Sequence, residues 1–147
     1  MDRRDARLGH LHPVRAALAV GVGGLVGTTL RYLLGLGHPT PAGAWPAMTL
    51  GINLAGAFAL GLLLEALARS GPDTGPRRLV RLGVGTGVLG SFTTYSTLAM
   101  DVVHQIQAGH ALAAATYAAV SLVGGLVAAG IGVACGTRAE HVRAESP

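Results

Sequence analysis

The sequence predicts an all-α membrane protein with four transmembrane helices, the third of them broken, and three observations carry that prediction. Half of the 147 residues are hydrophobic and only 12% are charged, too apolar a mixture for an ordinary soluble domain. Four apolar runs, at 16–35, 47–67, 82–100 and 111–135, are each long enough to cross a hydrocarbon core of about 30 Å at roughly 1.5 Å per residue. The third run is interrupted: from Gly90 to Ser96 (G-S-F-T-T-Y-S), only Phe92 is neither a glycine nor a hydroxyl residue. Such a stretch invites the backbone to leave the helix, and inside a bilayer that is tolerated only where protein or a polar cavity satisfies the released groups.

Residues 1–15 form a polar, arginine-bearing head without apolar periodicity and read as a cytoplasmic tail. The first span, Ala16 to Gly35, follows. A basic head before an apolar run also suits a secretory signal, and Ala42-Gly43-Ala44 resembles a cleavage site, but the run is too long and the site lies well beyond it. Leu36 to Pro46 holds three prolines and Trp45, a turn with an aromatic at the interface. The second span runs from Ala47 to Leu67. Residues 68–81, beginning A-R-S-G-P-D-T-G-P-R-R, combine glycine, proline and charge in the clearest loop of the chain. The third span takes Leu82 to Met100, a turn occupies Asp101 to His110, the fourth span takes Ala111 to Cys135, and 136–147 is a charged cytoplasmic tail. Glycines four residues apart, at Gly23 and Gly27, Gly83 and Gly87, and Gly132 and Gly136, let helix backbones approach closely.

The formal net charge of +4 comes entirely from arginine on the basic side, and its placement argues against nucleic acid as a partner. The head carries four arginines (Arg3, Arg4, Arg7, Arg15), the middle loop four (Arg69, Arg77, Arg78, Arg81), the tail two (Arg138, Arg143), and the other two connections none. With four spans these three segments share one side, so the positive-inside rule fixes both termini in the cytoplasm. Arg31, in G-T-T-L-R-Y near the outer end of the first span, either snorkels to the interface or draws anions to a vestibule. Asn53 lies within the second span, with Thr49 one turn before it, and Tyr117 and Ser121 form a similar pair on the fourth. Buried in a membrane these groups must be paired, either as glue between helices or along a polar path.

Enzymatic readings fail their context. Gly85, Gly87 and Gly90 make a G-x-G-x-x-G with no preceding strand, and Ser91 stands where a phosphate-binding loop needs lysine. The six histidines lack metal-ligand spacing, and Cys135, the single cysteine, excludes both an intrachain disulfide and a multi-cysteine site. A proton-coupled exporter is disfavoured because Glu65, the only carboxylate within a span, lies at its cytoplasmic end.

From Gly23 to Gly136 the chain resembles the Fluc (CrcB) family of fluoride channels. The resemblance rests on G-T-T-L-R-Y in span one, T-L-G-I-N-L-A-G-A-F in span two and G-V-L-G-S-F-T-T-Y-S-T-L in span three. The last is similar to the family's G-x-x-G-G-x-T-T-x-S-T-x signature, with Ser91 in place of the last glycine. A small four-helix multidrug exporter of similar size would carry a glutamate in its first span, where this chain has Arg31. The resemblance implies passive, fluoride-selective export across the cell membrane that lowers cytoplasmic fluoride toxicity. It also implies an antiparallel dimer with two fluoride paths and a structural sodium ion held by the carbonyls of Gly90 and Thr93. Asn53, Thr49, Ser96, Tyr117 and Ser121 correspond to donors along the path, Tyr95 and Leu98 to the two pore phenylalanines, and Arg31 and Asp101 to vestibule groups.

Two departures from that pattern point the same way. Tyr95 keeps an aromatic ring edge, but Leu98 has no quadrupole to offer an anion. The family's single-gene members insert in both orientations, which the one-sided arginine distribution opposes. The expectation is therefore either a homodimer or a heterodimer with an oppositely oriented homologue, in which this chain lines a pore or serves as an accessory, non-conducting subunit.

Overall fold

The computed structural model describes residues 13–37, 40 and 44–144. Most of the expected head, residues 38, 39 and 41–43 of the 36–46 turn, among them Ala42 and Gly43, and the last three residues of the tail lie outside the described residues. All regular secondary structure among the described residues is helical, with no strand among them. In chain order the elements are α1 (Pro13–Leu36), α2 (Ala47–Arg69), α3 (Gly75–Val80), a π-helical segment (Arg81–Leu89), α4 (Gly90–Phe92), α5 (Tyr95–Gln107) and α6 (Ala111–Ala144). Three stretches, Pro13–Leu36, Ala47–Arg69 and Ala111–Thr137, are long and apolar enough to cross a membrane as single helices. The third span is instead assembled from four consecutive pieces.

Local chemistry sets the boundaries. Pro13 opens α1, where a missing amide costs nothing and the fixed φ is already helical. At the end of α2 the Ser70 amide bonds back to the carbonyls of Ala66 and Leu67, and Gly71 at φ +121° turns the chain away, a backbone region that glycine alone enters cheaply. Pro76 lies in the first turn of α3. Some expected boundaries move. α1 begins inside the head at Pro13, the third span's helical matter reaches from Gly75 to Gln107, and α6 continues past Cys135 to Ala144. The 101–110 turn shrinks to 108–110, because α5, started by a threonine cap at Thr94, runs thirteen residues before Gly109 at φ +82° ends it.

Helix directions follow from glycine contacts. Gly83 faces Ala19, Gly87 faces Val20 and Gly23, and Gly27 faces Val88 and Ser91, so α1 and the third span run parallel. Gly124 faces Leu54, Gly132 faces Phe58 and Leu62, and Gly136 faces Glu65, so α2 and α6 also run parallel. Asn53 meets Thr94 while Gly85 meets Leu60 and Leu63, which sets α2 antiparallel to the third span. The start of α1, the 70–74 loop and the end of α6 therefore share one end of the bundle. A Cβ on Gly23, Gly27, Gly61 or Gly132 would come within 3.0 Å of a backbone carbonyl oxygen on the neighbouring helix. These are close backbone approaches of the kind that pack helices in lipid, where burial of apolar side chains supplies no driving force. Accordingly the buried apolar core among the described residues is small (Ile52, Ala114 and Tyr117), and large apolar side chains such as Leu25, Leu112 and Leu126 stand outward.

Candidate functional site

The site grows from the break in the third span. Arg81–Leu89, with glycines at 83, 85 and 87, is wound as a π-helix, a rare form that recurs at functional positions. After one turn of α-helix, Thr93 (φ −74°, ψ 161°) and Thr94 (φ −149°, ψ 122°) are extended, and α5 starts afresh at Tyr95. Asn53 on α2 holds the break from the side. Its Nδ2 donates to the Thr94 carbonyl at 3.0 Å, and its Oδ1 accepts from the Thr94 amide at 2.8 Å. One turn along α2, Gly56 leaves the space that the Thr93 methyl occupies.

This clamp releases two carbonyls. In an unbroken helix the Thr94 amide would bond to the Gly90 carbonyl and the Thr97 amide to that of Thr93. Here the Thr94 amide goes to Asn53, and the Thr97 amide donates to Thr94 Oγ1 at 3.1 Å as the cap of α5. The Gly90 and Thr93 carbonyls thereby lose their ordinary helical partners. Ser91 anchors the segment on its other side, its hydroxyl 2.7 Å from the Gly87 carbonyl and 3.0 Å from that of Gly24 on α1.

Two cavities flank the break. One, of about 300 Å³, brings together Asn53, Gly90, Thr93, Tyr95 and Leu98, and it is walled on one side by Thr94. The other, of about 390 Å³, is lined by Arg31, Thr49, Thr97 and Asp101, again with Thr94 in its wall. Thr94 is thus the partition between a groove at mid-span and a vestibule carrying one cationic and one anionic side chain. Tyr95 stands 80% exposed from the single protomer. Ser96, Tyr117 and Ser121 line neither cavity. Ser96 Oγ lies 3.2 Å from Thr94 Oγ1, and Tyr117, fully buried with its ring edge-on to Trp45, donates its hydroxyl to Asp101 at 3.3 Å. Ser121 donates to the Tyr117 carbonyl at 2.8 Å, so in this conformation its proton is committed to the backbone.

Sequence reasoning passed over Thr94 and Thr97. The signal was present: a threonine directly before a fresh helical run is an N-cap pattern, and a second cap inside one membrane span marks the residue on which a break turns. Ser91 was visible only as a departure from a motif; its bond to α1 depends on Gly24 and Gly27 lying opposite, which no local pattern reveals.

Comparison with known proteins adds independent information. The profile of the family described as CrcB-like protein, Camphor Resistance (CrcB), matches residues 18–133. The chain is 48% identical over 136 residues to a protein of Leifsonia xyli named fluoride-specific ion channel FluC 2, covering 92% of each chain. It is 43% identical to fluoride-specific ion channel FluC 1 of Cutibacterium acnes, covering 91% of this chain and 87% of the relative. It is 42% identical to a FluC 2 of Moorella thermoacetica, covering 80% and 93%.

Proposed function

The chain belongs to the CrcB-like family, and from that premise we propose that it is a subunit of a fluoride-selective channel through which the ion leaves the cytoplasm passively. It is not an enzyme. The observation that carries the reading is the mid-span groove, where an amide, an aromatic edge and two released carbonyls meet at a helix break. Fluoride is small and gives up its hydration only to strong donors. Asn53 spends one Nδ2 hydrogen on Thr94 and keeps the second for an ion, and the edge of the Tyr95 ring carries the positive part of its quadrupole. Thr97 and Thr49 line the vestibule and offer hydroxyls there, where Arg31 supplies positive charge; the Thr94 hydroxyl donates to that of Thr97, and Ser96 lies against it. Asp101, bonded to Tyr117, fixes the phenol at the edge of that vestibule. Ser121 joins the path only after its hydroxyl turns from the backbone.

The released carbonyls of Gly90 and Thr93 suit a hard cation such as sodium, which takes oxygen ligands and needs more of them than one chain provides. A second subunit presenting the same pair completes such a set, which supports a dimer with the break at its interface, antiparallel if the two halves share the pore. The ion would then act as a structural staple and not as cargo. Leu98 and the one-sided arginines favour a heterodimer in the cell membrane, with this chain's termini cytoplasmic and an oppositely oriented homologue supplying the missing ring. As an accessory subunit this chain would contribute the staple and scaffold without conducting.

The test is fluoride efflux from liposomes holding the purified chain, alone and with a co-expressed homologue, in sodium and in sodium-free buffer, with chloride as control. Fluoride efflux without chloride efflux, dependent on sodium, is the expected result for the working assembly. Efflux of both anions at similar rates would sink the selective-channel reading. Conduction by the chain alone would sink the heterodimer.

A further inference from the structure

The end of the molecule away from the vestibule carries charge for which the pore has no use. Of the four arginines flanking the 70–74 loop, Arg69 pairs with Glu65 on its own helix, and Arg81 reaches across the loop to Asp73 at 2.8 Å. Arg77 and Arg78, on α3, have no carboxylate partner among the described residues, and Nε of Arg78 is buried without a hydrogen-bond acceptor. Asp73 feels Arg78 only through space, its oxygens being bonded to Arg81.

Toward the membrane centre from these arginines the surface turns aliphatic. Val80 lies one turn beyond Arg77 on α3, Val84 follows in the π-helical segment, and the two are 42% and 40% exposed. Alongside, α1 runs parallel with Ala19 against Gly83. It repeats the order, with Arg15 exposed at its base and Leu18 exposed one turn further in. Two adjacent helices thus present guanidinium groups at the end of the bundle and bare aliphatic side chains above them. A phospholipid has the same polarity, an anionic phosphate followed by acyl chains. A soluble anion would satisfy the arginines but not the aliphatic stripe.

We propose that Arg77 and Arg78, with Arg15 at the rim, bind the phosphate of an anionic phospholipid whose acyl chains lie along Val80, Val84 and Leu18. Guanidinium suits phosphate because its fork of donors matches two oxygens at once. The site rests on charge and surface alone and does not depend on what the groove at the helix break conducts.

The full-length purified chain, titrated with phosphatidylglycerol and separately with phosphatidylcholine, is read by native mass spectrometry as bound lipid per subunit. The anionic lipid should bind roughly tenfold more tightly, because arginines near the membrane surface attract its net negative charge. In R77Q/R78Q that ratio should fall to within about twofold, while R77K/R78K keeps much of it. Because both lipids are compared on one sample, a change in the folded fraction cancels. No preference in the wild type, or an unchanged preference in R77Q/R78Q, would overturn the proposal. Inorganic phosphate in millimolar excess should leave the lipid bound; its displacement by phosphate would reassign the site to a soluble anion.

Discussion

Both ends of the Asn53 amide are bonded to a single residue, Thr94. N53A therefore leaves a backbone amide and a backbone carbonyl without partners in a membrane, each worth about 1–3 kcal/mol when stranded. The expected outcome is a clear fall in the unfolding midpoint together with loss of fluoride flux. N53D keeps an acceptor for the Thr94 amide, loses both donor hydrogens and adds negative charge. It should lose flux by roughly tenfold or more while retaining much of the stability that N53A forfeits. If N53A melts like the wild type, the clamp does not hold the break. Leu98 calls for the opposite experiment, because it faces the same groove as Tyr95 without an aromatic edge. L98F should raise the flux of assemblies in which this chain lines the pore, measured by efflux against wild type. An unchanged rate would assign the second ring to the partner subunit.

Why the break sits at Thr93 and Thr94, and not elsewhere in the hydroxyl-rich stretch, is decided one element away, by Asn53 and Gly56 on α2. The composition of 90–96 made an interruption legible in the sequence; its position depends on a contact between residues 41 apart, which local pattern does not encode. The π-helical winding of Arg81–Leu89 was equally hidden, although its glycines were plain; in the fold, α1 packs closely against it at Gly83 and Gly87. Gly27 is, with Gly23, one of the two closest approaches of α1 to this span, facing the Val88 carbonyl and the Ser91 hydroxyl. G27V should force α1 away from the break and cost at least about 1–3 kcal/mol, as overpacking against backbone does, read as a lowered unfolding midpoint. S91G removes only one hydroxyl and should cost about 1 kcal/mol. The loop before this span behaves differently with pH. The hydrogen bond from Arg81 holds the Asp73 carboxyl below its ordinary value of 3.8, so this tether is fully present above that value and is lost as pH falls through the lower, folded one. Between about pH 5 and 8 the loop should show no titration in protease accessibility, and D73N should show the loosened behaviour at every pH.

At the scale of the whole molecule, parallel packing of α1 with the third span and of α2 with α6 gathers the start of α1, the 70–74 loop and the end of α6 at one end, the parts that the head, the middle loop and the tail adjoin in the sequence. Ten of the eleven arginines belong to those segments, so geometry and charge act together on insertion. A chain held in one orientation cannot meet an inverted copy of itself, and an antiparallel homodimer would then be scarce whatever the quality of its interface. This separates two causes of a silent homodimer, orientation and pore chemistry. A reporter fused to the C-terminus should read as cytoplasmic in wild type. Replacing Arg3, Arg4, Arg7, Arg77 and Arg78 with glutamine, while leaving Arg69 and Arg81 to their carboxylates, removes five of the ten charges and should yield both orientations. If that variant then conducts fluoride from liposomes where the wild type does not, one-sided insertion was the obstacle and the chain's own residues make a complete pore. If it inserts both ways, forms dimers and still does not conduct, the deficit lies in the groove itself. L98F introduced into the same background should then restore the current.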